Sequence, residues 1–513
     1  MPERFYITTP IYYPNGEPHV GHYYTTLCAD VLARYHRLLG KDVFFLTGTD
    51  EHGIKMVKTA SELKTTPDAL ADANARIFVD AFAEFGITHT DFIRTTQPRH
   101  KLAVQEIVRR LQASGDIYLG SYEGWYDEGQ EEFITETEAK DAEYKSRISG
   151  RPLVRYSEPT YFFRLRKYVE PVYRAIESDQ IRITPASRKN EILSKLKGWD
   201  QDLSISRASL AWGIQMPDDP AHVLYVWIDA LSNYITGLGW PDGDRFKAYW
   251  PADLHLIGKE ILWFHAFYWP AMLLSLGLPQ PKQLFAHGWW VVEGKKMSKS
   301  MGNFVDLARL RELHARYGVD VVRYYLVRAG PFGSDLDFLQ VELDRAYSEL
   351  GNIVGNLLNR LINMTRKYRD GVVPAVGTTD DALDGPLVAR TASLANDLAG
   401  AYERIELQQC ALIPVELARA ANAYVDATAP FKLAKDPAQA GRLDTVLARM
   451  IHATQATLAA LMPILPAKAS AGLMQLGIDL AGKSLKELLE PLPAGHKLGE
   501  PSVLFPRFED KPA

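Results

Sequence analysis

The strand–helix–strand texture that opens the chain limits its fold more than any other feature. "RFYITTPIYY" is rich in aromatic and β-branched residues, as strands are. From His19 to Leu39 the apolar residues Leu27, Val31, Tyr35 and Leu38 recur at helical spacing, and Gly40 stands where such a helix would end. "DVFFLTG" is then short and almost continuously apolar, which suits a strand buried on both faces. A unit of this kind implies parallel strands joined by a helical crossover. The texture returns late in the chain, where "DLHLIG" and "QLFAHGWWVV" read as strands flanking a helical "KEILWFHAFYWPAMLLSLGL".

Between these halves, over residues 115–220, short runs, turn residues and scattered charge predict an inserted domain. Its acid-rich stretch, residues 123–143, reads as a solvated face. After Leu343 the pattern is helical, through "AYSELGNIVGNLLNRLINMTRKY" and "LARMIHATQATLAALMPIL", and predicts an antiparallel bundle. The terminal "PSVLFPRFEDKPA" is apolar enough to pack back on the body. Two cysteines, Cys28 and Cys410, exclude a disulfide framework and a zinc site built mainly of thiolates, and they fit a reducing cytoplasm. No apolar run reaches the roughly 18 residues of a membrane span, and the strand-like opening "MPERFYITTP" leads us to expect no signal segment. A net charge of −5 argues against a general coat for nucleic acid, while leaving room for a local face that reads it.

"HVGH", with His19 and His22 around Gly21, follows the first strand and sits in the first turn of the predicted helix. In open parallel sheets ligands gather at the carboxyl ends of strands, and a helix N-terminus favours anions. Taken alone the motif leaves metal ligation, structural packing and phosphate binding all open. "GKKMSKSMGN" places Lys296 and Lys299 among serines and glycines, a loop too charged to build a core but compatible with plain solvation. The two motifs in this order form a joint signal of very low chance frequency.

On these residues the chain resembles the class I aminoacyl-tRNA synthetases, with their HIGH and KMSKS motifs. "TGTDEHG", "VWIDALSNY", "HLIGKEILWFHAFYWPAML" and "FAHGWWVVEGKKMSKS" narrow the resemblance to the methionyl-tRNA synthetase family over nearly the whole chain. The resemblance implies an α/β Rossmann-like parallel-sheet catalytic domain with an inserted connective domain, followed by an all-α helical-bundle anticodon-binding domain. The corresponding boundaries are 1–114 and 221–295 for the catalytic halves, 115–220 for the insertion, 296–343 for the KMSKS and stem-contact region, 344–485 for the bundle and 486–513 for the tail.

The implied chemistry is carried over residue by residue. His19, Gly21, His22, Lys296 and Lys299 would handle the phosphates of ATP, which brings Mg²⁺ with it. Gly258, Glu260, His287 and Gly288 would hold ribose and adenine. Tyr13, Asp50, Trp227, Ala230, Tyr234, His265 and Trp269 would form the methionine pocket, with Asp50 on the ammonium group. A thioether gains about 0.3–1.5 kcal/mol from each aromatic edge, which suits such a pocket. Leu231 replaces a proline found in some members. The insertion has no cysteine where the family often carries zinc knuckles, so no zinc is expected, and no other metal site is predicted.

In the bundle, Asn352, Asn356, Asn359 and Asn363 share one helix face, which fits either interhelical bonding or base recognition. The resemblance assigns Asn356 and Arg360 to the anticodon, with Phe431 where many members have tryptophan. The implied partners are L-methionine, ATP and methionine tRNA, initiator and elongator alike, with no membrane and a monomeric chain. Three rivals compete: a class I synthetase for another amino acid, a small-metabolite nucleotidyltransferase, and a non-catalytic RNA-binding paralogue. The first lacks the thiolates or editing domain it would need, the second has no use for the bundle, and the third would not keep both histidines and both lysines.

Overall fold

The computed structural model describes residues 2–130, 132–134, 136–208, 210–292, 295–296, 304–377 and 382–507. The chain forms two compact units, one of Arg4–Ala29 with Val43–Trp289, the other of Met1–Glu3 and Asp30–Asp42 with Trp290–Ala513.

The first unit is built on a six-stranded sheet whose spatial order is Asp91–Arg94, Asp42–Thr49, Arg4–Tyr12, Leu254–Gly258, Gln283–His287, Arg182–Thr184. The outer pairs and the central pair, in which Ile7 faces Leu254 and Thr8 faces His255, run parallel. Leu254–Gly258 is buried at every position, as the apolar run "LHLIG" requires of a strand covered on both faces. The neighbours at the centre come from opposite ends of the unit's sequence, so the strand order reverses there. That is where an open α/β sheet leaves a crevice for ligands.

The segment read as one helix after Gly258 is composite: a tight turn at Lys259–Ile261, a π-type turn at Phe264–Tyr268 and an α-helix at Trp269–Ser275. Pro270 has no N–H to return to the carbonyl four residues back, and the turn ahead of it widens. "QLFAHGWWVV" likewise divides, Gln283–His287 joining the large sheet and Trp290–Val292 a small sheet of the second unit.

The insertion is antiparallel. Ile117–Asp127 pairs with Val154–Phe163 from Ile117↔Phe163 to Tyr126↔Val154, within a four-stranded sheet. Its root is held by buried Asp116, which accepts from Tyr168 Oη at 2.6 Å and Ser275 Oγ at 2.7 Å. Its outer loops close on side-chain oxygens. Asp127 Oδ1 accepts from the amides of Gly129 (2.8 Å) and Gln130 (3.2 Å), and Ser146 Oγ from those of Ile148 (3.3 Å) and Ser149 (3.0 Å).

The second unit is mainly helical, with long elements at Val319–Arg328, Asp384–Glu403, Leu407–Thr428 and Ala440–Leu461. Gln340–Glu349 leads through a π-type turn, Leu350–Gly355, into the helix Asn356–Arg369. The Ile353 carbonyl accepts from Asn422 Nδ2 at 3.0 Å. Leu350, Val354, Leu357, Leu361 and Ile362 form its buried stripe. Phe505 near the end of the chain is buried with its ring against Gly355, where an added Cβ would stand 3.1 Å from it.

Arg323 and Asp30, both fully buried, pair at 2.7 Å, and the same guanidinium donates to the carbonyls of Ile464 (3.0 Å) and Pro463 (3.1 Å). Asp30 Oδ2 also accepts from Arg34 Nε at 2.7 Å, so Arg323 is one of two cations on it. Removing Arg323 takes away the fully buried cation together with the donors to the Ile464 and Pro463 carbonyls. Arg323→Met should therefore lower unfolding free energy by about 3–5 kcal/mol in denaturant titrations.

Candidate active site

The helix Val20–Leu38 starts where the first strand ends, with His19 just before it and His22 in its first turn. The two imidazoles stack at 3.8 Å between centroids. The Gly21 amide donates to His19 Nδ1 at 3.0 Å and the His19 amide to His22 Nδ1 at 3.3 Å. With both Nδ1 atoms accepting, the proton of each neutral ring lies on Nε2, and both rings are donors there. Burial, with His19 alongside, holds the His22 pKa well below its ordinary value and keeps it neutral. A Cβ at Gly21 would come within 2.9 Å of His19 Cε1, so glycine is what lets the first ring fold over the turn.

At the ends of the next two strands stand Gly258, Glu260, His287 and Gly288. A Cβ at Gly258 would lie 2.6 Å from the Glu260 carboxylate, which Trp289 Nε1 holds at 2.7 Å. His287 Nδ1 donates to the Gly288 carbonyl at 2.8 Å, so its Nε2 accepts from Thr25 Oγ1 at 2.8 Å. Thr25 lies one turn beyond His22, which ties the third strand end to the helix carrying the histidine motif.

Five of the seven residues expected around the amino acid gather on two elements. Trp227, Ala230 and Tyr234 lie on the helix Val226–Thr236, and His265 and Trp269 on the composite segment. Tyr234 Oη bonds His265 Nε2 at 2.6 Å, while His265 Nδ1 donates to the Ile261 carbonyl at 2.9 Å. Trp227 stacks on Phe264 at 3.8 Å and meets His265 edge-on at 6.2 Å. Trp269 is wholly buried, 5.9 Å from Tyr234, and is as much core as pocket. Tyr13 stands with a separate group, its Oη accepting from the Met56 amide at 3.2 Å beside Trp212. Asp50 is buried next to it, its amide donating to the Tyr12 carbonyl at 2.8 Å. Sequence reasoning missed the buried Asp229 and its two histidine partners, His52 and His100, at 2.5 and 2.6 Å. Asp229 and His52 lie inside the quoted motifs "VWIDALSNY" and "TGTDEHG", but charge in a motif does not reveal which partner it meets.

Lys299 lies outside the described residues, and of Lys296 only the backbone, in the short strand Lys295–Lys296, is described. In the second unit Asn352, Asn356, Asn359 and Asn363 are all exposed, so they are not spent on bonds between buried helices. Asn363 bonds Asn359 at 3.0 Å along the same face. Arg360 reaches Asp426 at 3.1 Å, and Phe431 is 48% exposed. Among the described residues no group of three His, Cys, Asp or Glu could hold a metal ion, and no helix is long and apolar enough to cross a membrane.

A parallel sheet with imidazole donors at the strand ends flanking its reversal defines a nucleotide-handling α/β enzyme. The family described as tRNA synthetases class I (M) matches residues 5–142 and 140–362. A methionine–tRNA ligase of Caldanaerobacter subterraneus is 44% identical over 99% of this chain and 80% of its own length. One from Bacillus subtilis is 42% identical over 99% and 79%. The Mycobacterium tuberculosis methionyl-tRNA synthetase, solved in complex with methionyl-adenylate, superposes with a TM-score of 0.93 at 38% identity, covering 98% of this chain and all of that one. The chain belongs to the methionyl-tRNA synthetase family, and the fold class expected from the sequence stands.

Burial pushes the His265 pKa down to about 4 from an ordinary 6.5. The unfolded chain therefore takes up a proton between pH 6.5 and pH 4 that the folded chain refuses, and stability falls as pH falls through that window. The slope from this one group is about 1.4 kcal/mol per pH unit. Denaturant midpoints measured at pH 6.5 and 5 should move apart less in His265→Gln than in the parent protein.

Proposed function

We propose that this protein is a methionine–tRNA ligase, using MgATP as substrate to activate L-methionine and then charging methionine tRNA. What carries the reading is the near-full-length likeness to a synthetase solved with methionyl-adenylate, on a chain that keeps both phosphate-handling motifs. The methionine carboxylate attacks the α-phosphate, the bond to the pyrophosphate oxygen breaks, and an acyl-adenylate forms. The 3′-terminal hydroxyl of the tRNA then attacks the acyl carbon and AMP leaves.

His19 and His22 donate from Nε2 to phosphate oxygens as charge builds in the transition state. Lys296 and Lys299 neutralise the departing pyrophosphate. Asp50 holds the ammonium group, Trp227, Ala230, Tyr234, His265 and Trp269 take the thioether side chain with Tyr13, and Gly258, Glu260, His287 and Gly288 seat the nucleoside. Mg²⁺ enters with the nucleotide. The insertion works without zinc, its loops closed by Asp127 and Ser146. On the bundle, Asn356 and Arg360 read anticodon base edges and Phe431 stacks on a base. The two buried free cysteines fit the reducing cytoplasm, where this reading places the protein.

Amino-acid-dependent ATP–pyrophosphate exchange across the twenty amino acids and homocysteine tests the reaction. Methionine should give the strongest exchange and homocysteine a weaker one, since one missing methyl costs only about 1–3 kcal/mol. Strong exchange with a different amino acid would overturn the pocket. Lys299→Ala should cut exchange by orders of magnitude with little change in methionine binding. Arg360→Ala should weaken tRNA charging about 10- to 100-fold while leaving exchange untouched, the cost of one base-edge contact.

A further inference from the structure

The mechanism above leaves a buried polar chain unused. Asp229, His52 and His100 are 1%, 2% and 0% exposed. Asp229 Oδ2 meets His52 Nδ1 at 2.5 Å, its Oδ1 meets His100 Nε2 at 2.6 Å, and His100 Nδ1 meets Thr236 Oγ1 at 2.7 Å. A carboxylate can only accept, so both imidazoles donate to it, and His100 then accepts from the Thr236 hydroxyl through its other nitrogen. Burial alone would raise the Asp229 carboxyl, but the two imidazoles outweigh it and hold it below the usual range. Burying three ionisable groups is expensive, and apolar packing of the same volume is often as stable. Stability is therefore a poor reason for this chain to exist here.

Its position supplies a better one. Asp229 occupies the first turn of the helix Val226–Thr236, between Trp227 and Ala230 and five residues before Tyr234. His52 stands two residues after Asp50, while the intervening Glu51 is drawn off to Arg94, which it meets at 2.6 and 3.0 Å. The Asp229–His52 bond thus joins the segment bearing the ammonium-binding carboxylate to the helix bearing the apolar slot. His100, bonded to Asp229 and Thr236 two turns apart, braces that helix from behind. The ring of Trp212, 5.4 Å from His52, and its Nε1 bond to the Glu51 carbonyl at 2.7 Å close the near side.

We propose that Asp229, acting through His52, is a positioning residue of the amino-acid site. It sets the distance between Asp50 and the slot of Trp227, Ala230 and Tyr234, so that ammonium group and side chain are seated together. The proposal rests on the reading of this site as a methionine pocket.

Asp229→Asn keeps the shape and removes the anionic acceptor. In pyrophosphate exchange it should raise KM for methionine about 10- to 100-fold, the scale of effect expected from a displacement of about 1 Å. KM for ATP should stay within about twofold. Inhibition by 4-(methylthio)butyrate, which has the side chain and carboxylate but no ammonium group, should also stay within about twofold, a selectivity that general loss of structure would not produce. His52→Phe keeps a ring, leaves His100 on Asp229, and should show the same split; it is the variant to read if Asp229→Asn does not fold. An unchanged methionine KM in a folded variant, or equal losses for methionine, ATP and the desamino acid, would overturn the positioning role while the function stands. Absence of methionine-dependent exchange in the parent protein would overturn the function and this role with it.

Discussion

The pairing of Arg4–Tyr12 with Leu254–Gly258 is the constraint on which the first unit depends. These strands are separated by most of that unit's sequence, yet they share its centre. Backbone pairing is reinforced on one edge by the Tyr6 amide donating to Asp253 Oδ2 at 2.7 Å and the Asp253 amide donating back to the Tyr6 carbonyl at 2.9 Å. Inside the sheet, Thr8 Oγ1 bonds His255 Nδ1 at 2.7 Å. In our reading His19, Gly21, His22, Asp50, Gly258, Glu260, His287 and Gly288 stand at or just past the carboxyl ends of these strands or their immediate neighbours. A register slip of one residue would turn Thr8 and His255 to opposite faces and separate the histidine motif from the Gly258 end.

Hydrogen bonds also decide what the histidines can do. His19, His22, His265 and His287 each have their Nδ1 atom engaged by backbone, as acceptor in the first two and donor in the others. The tautomer follows, so the first pair presents donors suited to phosphate and the second pair presents acceptors to the hydroxyls of Tyr234 and Thr25. Burial holds His22, His265 and His287 neutral, which suits dipolar groups that orient a substrate better than it suits general bases.

In the insertion the acid-rich stretch reads as a solvated face, and among its described side chains Glu136, Asp141 and Glu143 are exposed. Among its described side chains Asp127 is the exception at 4% exposure, spent on the amides of its own turn. Asp and Ser oxygens accepting successive amides are an ordinary way to close a tight loop. Here they close two of the lobe's outer loops.

The sequence by itself determined the class of fold and the place of the two-histidine motif. Local periodicity marks strands and helices, and it puts the glycine between two histidines at a helix start. It also determined the exposed asparagine face, because spacings of three and four put side chains together on any helix. What only the tertiary structure decided concerns partners distant in sequence. No local pattern shows that Asp229 lies between His52 and His100, that Trp269 is buried against Tyr234 and Trp250, or that Asp30 meets Arg323. The π-type turns at Phe264–Tyr268 and Leu350–Gly355 were equally hidden, since the apolar spacing of a helix survives one widened turn. Periodicity reports which face of an element is buried; what that face is buried against is set by long-range packing, and it is there that the substrate site acquires its geometry.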